Sequence, residues 1–218
     1  MIDASISCDP SAASPIERLA RSRLGFDLGP DVFDRAGQGW GGDHSLDGGP
    51  RFPGPLRPAA VLVPIVTHSE AATVILTTRP SGMRDHSGQI AFPGGKIDPG
   101  DRTPCAAALR EAEEEIGLRR QDAEPIGYLD PYVTGTGFVV IPTVALVDPA
   151  FVPSPDPREV ADAFEVPLAF LMDPANHQRH QREIGERIRQ FYAMPFETRF
   201  IWGATAGIIR NLYDRLFV

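Results

Sequence analysis

The sequence predicts an α/β fold, an α/β/α sandwich around a mixed sheet. Four runs rich in β-branched and apolar residues read as strands: Ala59 to Thr67, Thr73 to Thr78, Ile126 to Val133 and Phe138 to Val147. Two amphipathic segments, one starting at Thr103 or Pro104 and ending at Ile116, the other from Trp202 to Phe217, read as the helices that cover the sheet. With 218 residues, 42% of them hydrophobic and 23% charged, the chain is long enough for one substantial domain plus an extension.

Residues 1–57 form that extension, and 58–218 the domain. Ser14-Pro15-Ile16-Glu17 has the form of a capping box with proline at the first helical position, which predicts a short helix from Pro15 to about Leu24. Such a helix would pack on the domain or on a partner subunit. The segment from Arg35 to Pro58 holds too much glycine and proline for a packed element and reads as a loop. Within the domain, Gln89 to Phe92 is a short extended piece ahead of the Gly94-Gly95 turn. Thr103 suits a helix N-cap, Pro104 the first turn and Gly117 the C-cap. Cys105, Leu109, Ala112 and Ile116 make a stripe that faces the core. Val160 to Met172 reads as a loop with a short helical turn, and Arg179 to Tyr192 as an irregular hairpin. In the last helix Ile208, Ile209, Leu212 and Leu216 point inward.

Composition narrows the function. No apolar run approaches the ~18 residues of a membrane span. The first fifteen residues lack a basic region followed by an apolar core, so no secretory signal is expected. Cys8 and Cys105 are far apart and lack metal-ligand spacing, which fits a reduced, cytoplasmic protein. A net charge of −8 argues against a nucleic-acid duplex as partner. It does not argue against a small anionic substrate, which needs only a local basic pocket and a metal.

The chemistry concentrates between Phe92 and Leu118. A glycine-glycine turn, where backbone can approach a ligand closely, leads into a helix carrying Glu111, Glu113, Glu114 and Glu115. At about 100° per residue, Glu111, Glu114 and Glu115 share one face, and Glu113 points away. Like charges at i,i+3 and i,i+4 cost roughly 0.2–0.5 kcal/mol per pair, so three on one face call for a cation. A hard divalent ion bound by carboxylate oxygens is one answer. A solvated face, with Arg110 paired to Glu114 and Arg119 to Glu115, is the other.

Arg110 to Leu118 reads R-E-A-E-E-E-I-G-L, which resembles the Nudix box, G-x5-E-x7-R-E-U-x-E-E-x-G-U with U aliphatic. The box places a glutamate at position 102, where this chain has Arg102; one extra residue between turn and helix lets Asp101 stand in, with Asp98 as its competitor. The resemblance implies the Nudix fold, with Mg²⁺ or Mn²⁺ held by Glu111, Glu114 and Glu115 and by the main-chain carbonyl of Gly94. Arg110 would orient the glutamates, and Glu159 or Glu165 would offer a general base from beyond the box.

Ile75 to Gly95, ILTTRPSGMRDHSGQIAFPGG, is similar to L-L-T-x-R-S-x3-R-x3-G-x3-F-P-G-G, the pattern of the coenzyme A pyrophosphatase branch of that family. Ile75 replaces leucine and Pro80 replaces serine. Together the two motifs cover about a fifth of the chain. The resemblance implies hydrolysis of the diphosphate of coenzyme A or a derivative, giving 3′,5′-ADP and (acyl-)4′-phosphopantetheine. Arg79, Arg84 and His86 would bind the substrate phosphates, arginine with bidentate capacity. Structural roles stand against this: Arg79 paired with a helix acid, His86 simply exposed. An ADP-ribose or nucleotide-sugar pyrophosphatase, and a non-catalytic nucleotide-sensing module, are the alternatives. Such modules typically lose the box glutamates, which this chain retains. A homodimer is consistent with the class.

Overall fold

A computed structural model describes residues 14–29, 32–33, 41–46, 54–81, 88–184 and 187–218. Strand β1 (Arg57–Val66) and β7 (Phe138–Val147) run parallel through ten residue pairs, from Arg57 opposite Phe138 to Val66 opposite Val147. This pair is the spine of an eight-stranded mixed sheet. Strands buried on both faces read as continuous apolar runs, which is why β1 and β7 stand out in the sequence. The strand β2 (Thr73–Thr78) lies antiparallel to the end of β1 and carries β3 (Ile90–Ala91) and β8 (Asp162–Pro167). The short β4 (Gly94–Lys96) pairs with the start of β1. β5 (Ala123–Tyr128) and β6 (Tyr132–Val133) pair in turn along β7. A second, three-stranded antiparallel sheet consists of β9 (Gln178–Ile184), β10 (Arg187–Phe196) and β11 (Arg199–Trp202).

One face of the main sheet is covered by helix α2 (Pro104–Ile116). Its Ala107, Ala108, Leu109, Ala112 and Ile116 are buried against Ala60, Leu62, Ile75 and Ala145. Burying a leucine or isoleucine side chain contributes ~1.5–3 kcal/mol, so Leu109 and Ile116 anchor the helix firmly. The other face packs against α1 (Pro15–Arg23), α4 (Ala204–Phe217) and the second sheet, with a short α3 (Leu168–Leu171) at the edge. The architecture is the expected sandwich around a mixed sheet, with the second sheet added to one layer. No helix among the described residues is long and apolar enough to cross a membrane.

The extension is stitched to the domain. Ser14 and Glu17 form the reciprocal capping box, and Ala20 is buried in the main core. Arg21 makes a bidentate pair with Glu124 at 2.7 and 2.8 Å. Gly25 bridges to Tyr128, and the Asp43 carboxylate accepts from Tyr132 and from the Gly135 amide. Most of the Arg35 to Pro58 loop lies outside the described residues.

Three expectations are corrected. The strand expected from Ile126 to Val133 breaks after Tyr128, because Pro131 has no amide to donate and the Asp130 amide turns to the Asn211 side chain at 3.2 Å. The stretch read as loop from Val160 contains β8, which pairs with β2 along its full length. Its Asp162, Glu165 and Pro167 disguise an alternation in which Phe164 and Val166 face one core and Ala163 the other. The helix expected from Trp202 begins at Ala204, since Gly203 at φ 64° ends β11 and turns the chain. The hairpin expected from Arg179 to Tyr192 is present as β9 and β10, extended to Phe196.

Thr103 caps α2 by accepting the Ala106 amide at 3.1 Å. Thr103→Ala should lower the free energy of unfolding by about 1 kcal/mol. A urea titration should show a lower midpoint at unchanged slope; an unmoved midpoint would mean the cap contributes nothing.

Candidate active site

Glycine decides where the acids of α2 can go. Gly94 has φ 154° and pairs with Val61, and any side chain there would collide with the β1 backbone. At Gly95 a Cβ would sit 2.5 Å from Glu111 Oε2. Two glycines therefore let two carboxylates of α2 reach the backbone of β4. The Gly94 amide donates to Glu115 Oε2 at 3.3 Å. Glu115 is only 6% exposed, a rare position for a carboxylate that has no ion-pair partner among the described residues.

Arg110 ties the other acids together. Its Nε and Nη2 donate to the two oxygens of Asp101 at 3.2 and 3.0 Å. Nη1 reaches Glu111 at 2.9 Å and Glu114 at 3.0 Å. Nη2 also donates to the Lys96 carbonyl at 3.2 Å. The rivalry between Asp101 and Asp98 resolves geometrically: the Asp101 side chain is 8% exposed and doubly bonded, whereas that of Asp98 is 65% exposed and 3.8 Å away. Arg119 pairs with Asp122 at 2.7 Å, not with Glu115, and Glu113 is exposed. The solvated-face reading thus fits Glu114 in part and fails for Glu115.

The electrostatics follow from this placement. Burial pushes Glu115 up to about 7; the Gly94 amide and the Arg79 guanidinium pull the other way, and Glu111 and Glu159 add to the rise. Burial also raises Glu111, against the opposing pull of Arg110. The Arg110 bonds hold Asp101 below its ordinary range. Glu159 acts on both Glu111 and Glu115, so it belongs to the same field. Glu165 does not. It is engaged by His68 at 2.7 Å and Thr73 at 2.5 Å, alongside Ile75 in the body of the sheet.

Arg79 lies at the end of β2, and its charge reaches Glu115. Its Nε is buried and has no hydrogen-bond partner among the described residues. Arg84 and His86 lie outside the described residues. The sequence offered Glu159 and Glu165 as equal candidates for a base, with nothing to separate them. Glu159 is positioned by the loop between β7 and β8, which is tied to the end of α2: the Asp156 amide donates to the Glu115 carbonyl and the Glu159 amide to the Asp156 carbonyl, both at 3.0 Å. Among the described residues no three acidic, histidine or cysteine side chains converge tightly enough to hold a metal; Arg110 engages Glu111 and Glu114 instead. The donor set itself fits a hard cation: carboxylate oxygens, one of them buried with a raised pKa, beside a glycine turn too tight for any side chain.

Residues 56–188 match the NUDIX domain model. A protein of Photorhabdus laumondii described as an uncharacterized Nudix hydrolase NudL is 39% identical over 164 residues, covering 74% of this chain and 86% of its own length. One of the same description from Yersinia pestis is 39% identical over 180 residues, covering 81% and 88%. A crystal structure of a Nudix hydrolase from M. smegmatis, RenU, superposes with a TM-score of 0.46 at 27% identity, covering 61% of this chain and 81% of the other. The chain belongs to the Nudix hydrolase family, whose members generally use divalent metal ions.

A carboxylate whose pKa is raised by folding favours the folded state at acid pH and disfavours it at alkaline pH. For Glu115 the destabilisation is absent below the unfolded value near 4.5 and complete above about 7. Glu115→Gln should therefore stabilise the EDTA-treated protein at pH 8 by on the order of 2 kcal/mol, and at pH 5 by only about a quarter of that. Thermal melts at both pH values check this; equal shifts at the two would show that Glu115 is not charged at a cost.

Proposed function

We propose that this chain hydrolyses the diphosphate linkage of coenzyme A or a derivative, releasing 3′,5′-ADP and (acyl-)4′-phosphopantetheine. The observation that carries the reading is the buried Nε of Arg79, which has no hydrogen-bond partner among the described residues and whose charge bears on the buried carboxylate of Glu115. A buried guanidinium nitrogen with no hydrogen-bond partner among the described residues, together with acids whose pKa values burial raises, suits a substrate that brings both phosphate oxygens and a divalent ion. The motif that holds Arg79, from Ile75 to Gly95, supports coenzyme A over other diphosphates.

Glu111, Glu114 and Glu115, with the Gly94 carbonyl, would hold Mg²⁺ or Mn²⁺. Bound there, the ion supplies charge neutralisation at the diphosphate and a water of lowered pKa. For this the Glu111 and Glu114 carboxylates turn from Arg110 Nη1, while Asp101 and the Lys96 carbonyl keep the guanidinium in place. Arg110 then acts as the orienting group of the site. Glu159 is the better placed of the two candidate bases, because its charge already bears on Glu111 and Glu115. Arg79, with Arg84 and His86 of the same motif, binds the phosphates and stabilises charge as the leaving phosphate departs. A cytoplasmic location follows from the sparse, unpatterned cysteines, and a homodimer is consistent with the class.

Specificity constants for coenzyme A and ADP-ribose, measured with Mg²⁺, decide the substrate. Coenzyme A should be preferred by at least about ten-fold, a difference of ~1.4 kcal/mol in transition-state binding. Equal or better turnover of ADP-ribose would transfer the reading to an ADP-ribose or nucleotide-sugar pyrophosphatase. Loss of turnover in Glu114→Gln and Glu115→Gln with the fold intact is expected. Full activity in either variant, or none in the parent chain, would favour a different metal site or a sensing module.

A further inference from the structure

We propose that Asp156 is a positioning residue, fixing the turn that presents Glu159 to the glutamates of α2. This rests on the diphosphate-hydrolase reading, in which Glu159 serves as the base, and extends it to what holds that base in place. The segment between β7 and β8 carries proline at alternate positions, Pro153, Pro155 and Pro157. Proline fixes its own φ and has no amide to donate, so the chain here is stiff and its free amides fall at Ser154 and Asp156. Both go to α2. The Ser154 amide donates to the Ile116 carbonyl at 2.9 Å and the Asp156 amide to the Glu115 carbonyl at 3.0 Å. These carbonyls belong to the last turn, which a helix leaves without partners of its own.

Beyond Asp156 this strap turns. Asp156-Pro157-Arg158-Glu159 has aspartate first and proline second, the residues that a β-turn favours there. The Asp156 carbonyl accepts the Glu159 amide at 3.0 Å and the Val160 amide at 2.8 Å. The Asp156 carboxylate closes the turn from the side: it accepts the Arg158 amide at 2.9 Å and Arg158 Nε at 3.0 and 3.1 Å. Arg158 holds that carboxyl down at about 2, so it stays an acceptor at any assay pH. Val160, 2% exposed, then enters the core under α2. The Ala161 amide donates to the Thr78 carbonyl at 2.8 Å, one residue before Arg79.

Glu159 therefore sits between two anchored points, one on the backbone of Glu115 and the other beside Arg79. Its charge bears on Glu111 and Glu115, as that placement requires. Glu159 is itself exposed, so burial does little to place it and the main chain of the turn decides. The two halves of Asp156 have separate work. Its main chain caps α2; its side chain bonds only within the turn, to Arg158. A surface ion pair adds little to stability, so removing the carboxylate loosens the turn and leaves the cap on α2 in place.

A double-mutant cycle in kcat and KM for coenzyme A with Mg²⁺ tests this. Glu159→Gln should lower kcat about a hundred-fold or more. Asp156→Ala should lower kcat about ten-fold with KM within about two-fold. Asp156→Asn, whose amide oxygen still accepts the Arg158 amide, should restore kcat to within about three-fold. In the Glu159→Gln background, Asp156→Ala should change kcat by less than about two-fold. Pro157→Gly loosens the same turn without touching the carboxylate and should depend on Glu159 in the same way; it carries the cycle if Asp156→Ala does not fold. With coenzyme A hydrolysed by the parent chain, three results overturn this inference and leave the proposed function standing: an equal loss in both backgrounds, no loss in the parent background, or an unaltered kcat in Glu159→Gln. If the parent chain hydrolyses ADP-ribose instead, the proposed function falls and the same cycle on ADP-ribose decides this inference. Hydrolysis of neither overturns both.

Discussion

A single guanidinium holds the acidic centre together. Without Arg110, Asp101, Glu111 and Glu114 would gather uncompensated charge around the start of β4 and the middle of α2. Arg110 also meets Glu114 one helical turn on, at 3.0 Å, where i,i+4 geometry brings cation and acid together. Its bidentate grip on Asp101 and its bond to the Lys96 carbonyl join the helix to the loop between β4 and α2. That joint fixes the register of the glutamates against the glycine turn, and the placement of Glu115 beneath Gly94 depends on it.

Glu115 shows the expense of such a site. The same position, filled by an apolar side chain, would extend the stripe of Leu109, Ala112 and Ile116 at no electrostatic cost. Instead the chain buries a carboxylate whose pKa burial pushes up to about 7 and which accepts from one backbone amide. Partly compensated groups of this kind are expected where stability is given up for binding. The parallel β1–β7 pair and the apolar face of α2 supply the rigidity that tolerates it.

Much of this was legible in the sequence. Thr103, Pro104 and Gly117 bracketed α2 because capping chemistry is local. Strands β2 and β7 were readable end to end because they are apolar on both faces. β8 was hidden because an edge strand can carry Asp162, Glu165 and Pro167 without losing its pairing. The acids of the helix were visible from spacing alone, yet spacing did not show that Glu115 is buried and Glu114 exposed. That difference comes from Gly94, which contacts α2 only through the fold. That Asp101 rather than Asp98 is buried on Arg110, and that Glu159 rather than Glu165 acts on Glu115, likewise depends on tertiary placement.

The central claim, that these carboxylates exist to bind a divalent ion against a diphosphate, is tested most directly by anomalous diffraction from crystals soaked in Mn²⁺. The account predicts a peak at about 2.1 Å from oxygens of Glu111, Glu114 and Glu115 and from the Gly94 carbonyl, with Glu111 and Glu114 turned away from Arg110. A map with no peak beside those groups, and both glutamates still on Arg110 at millimolar Mn²⁺, would contradict it.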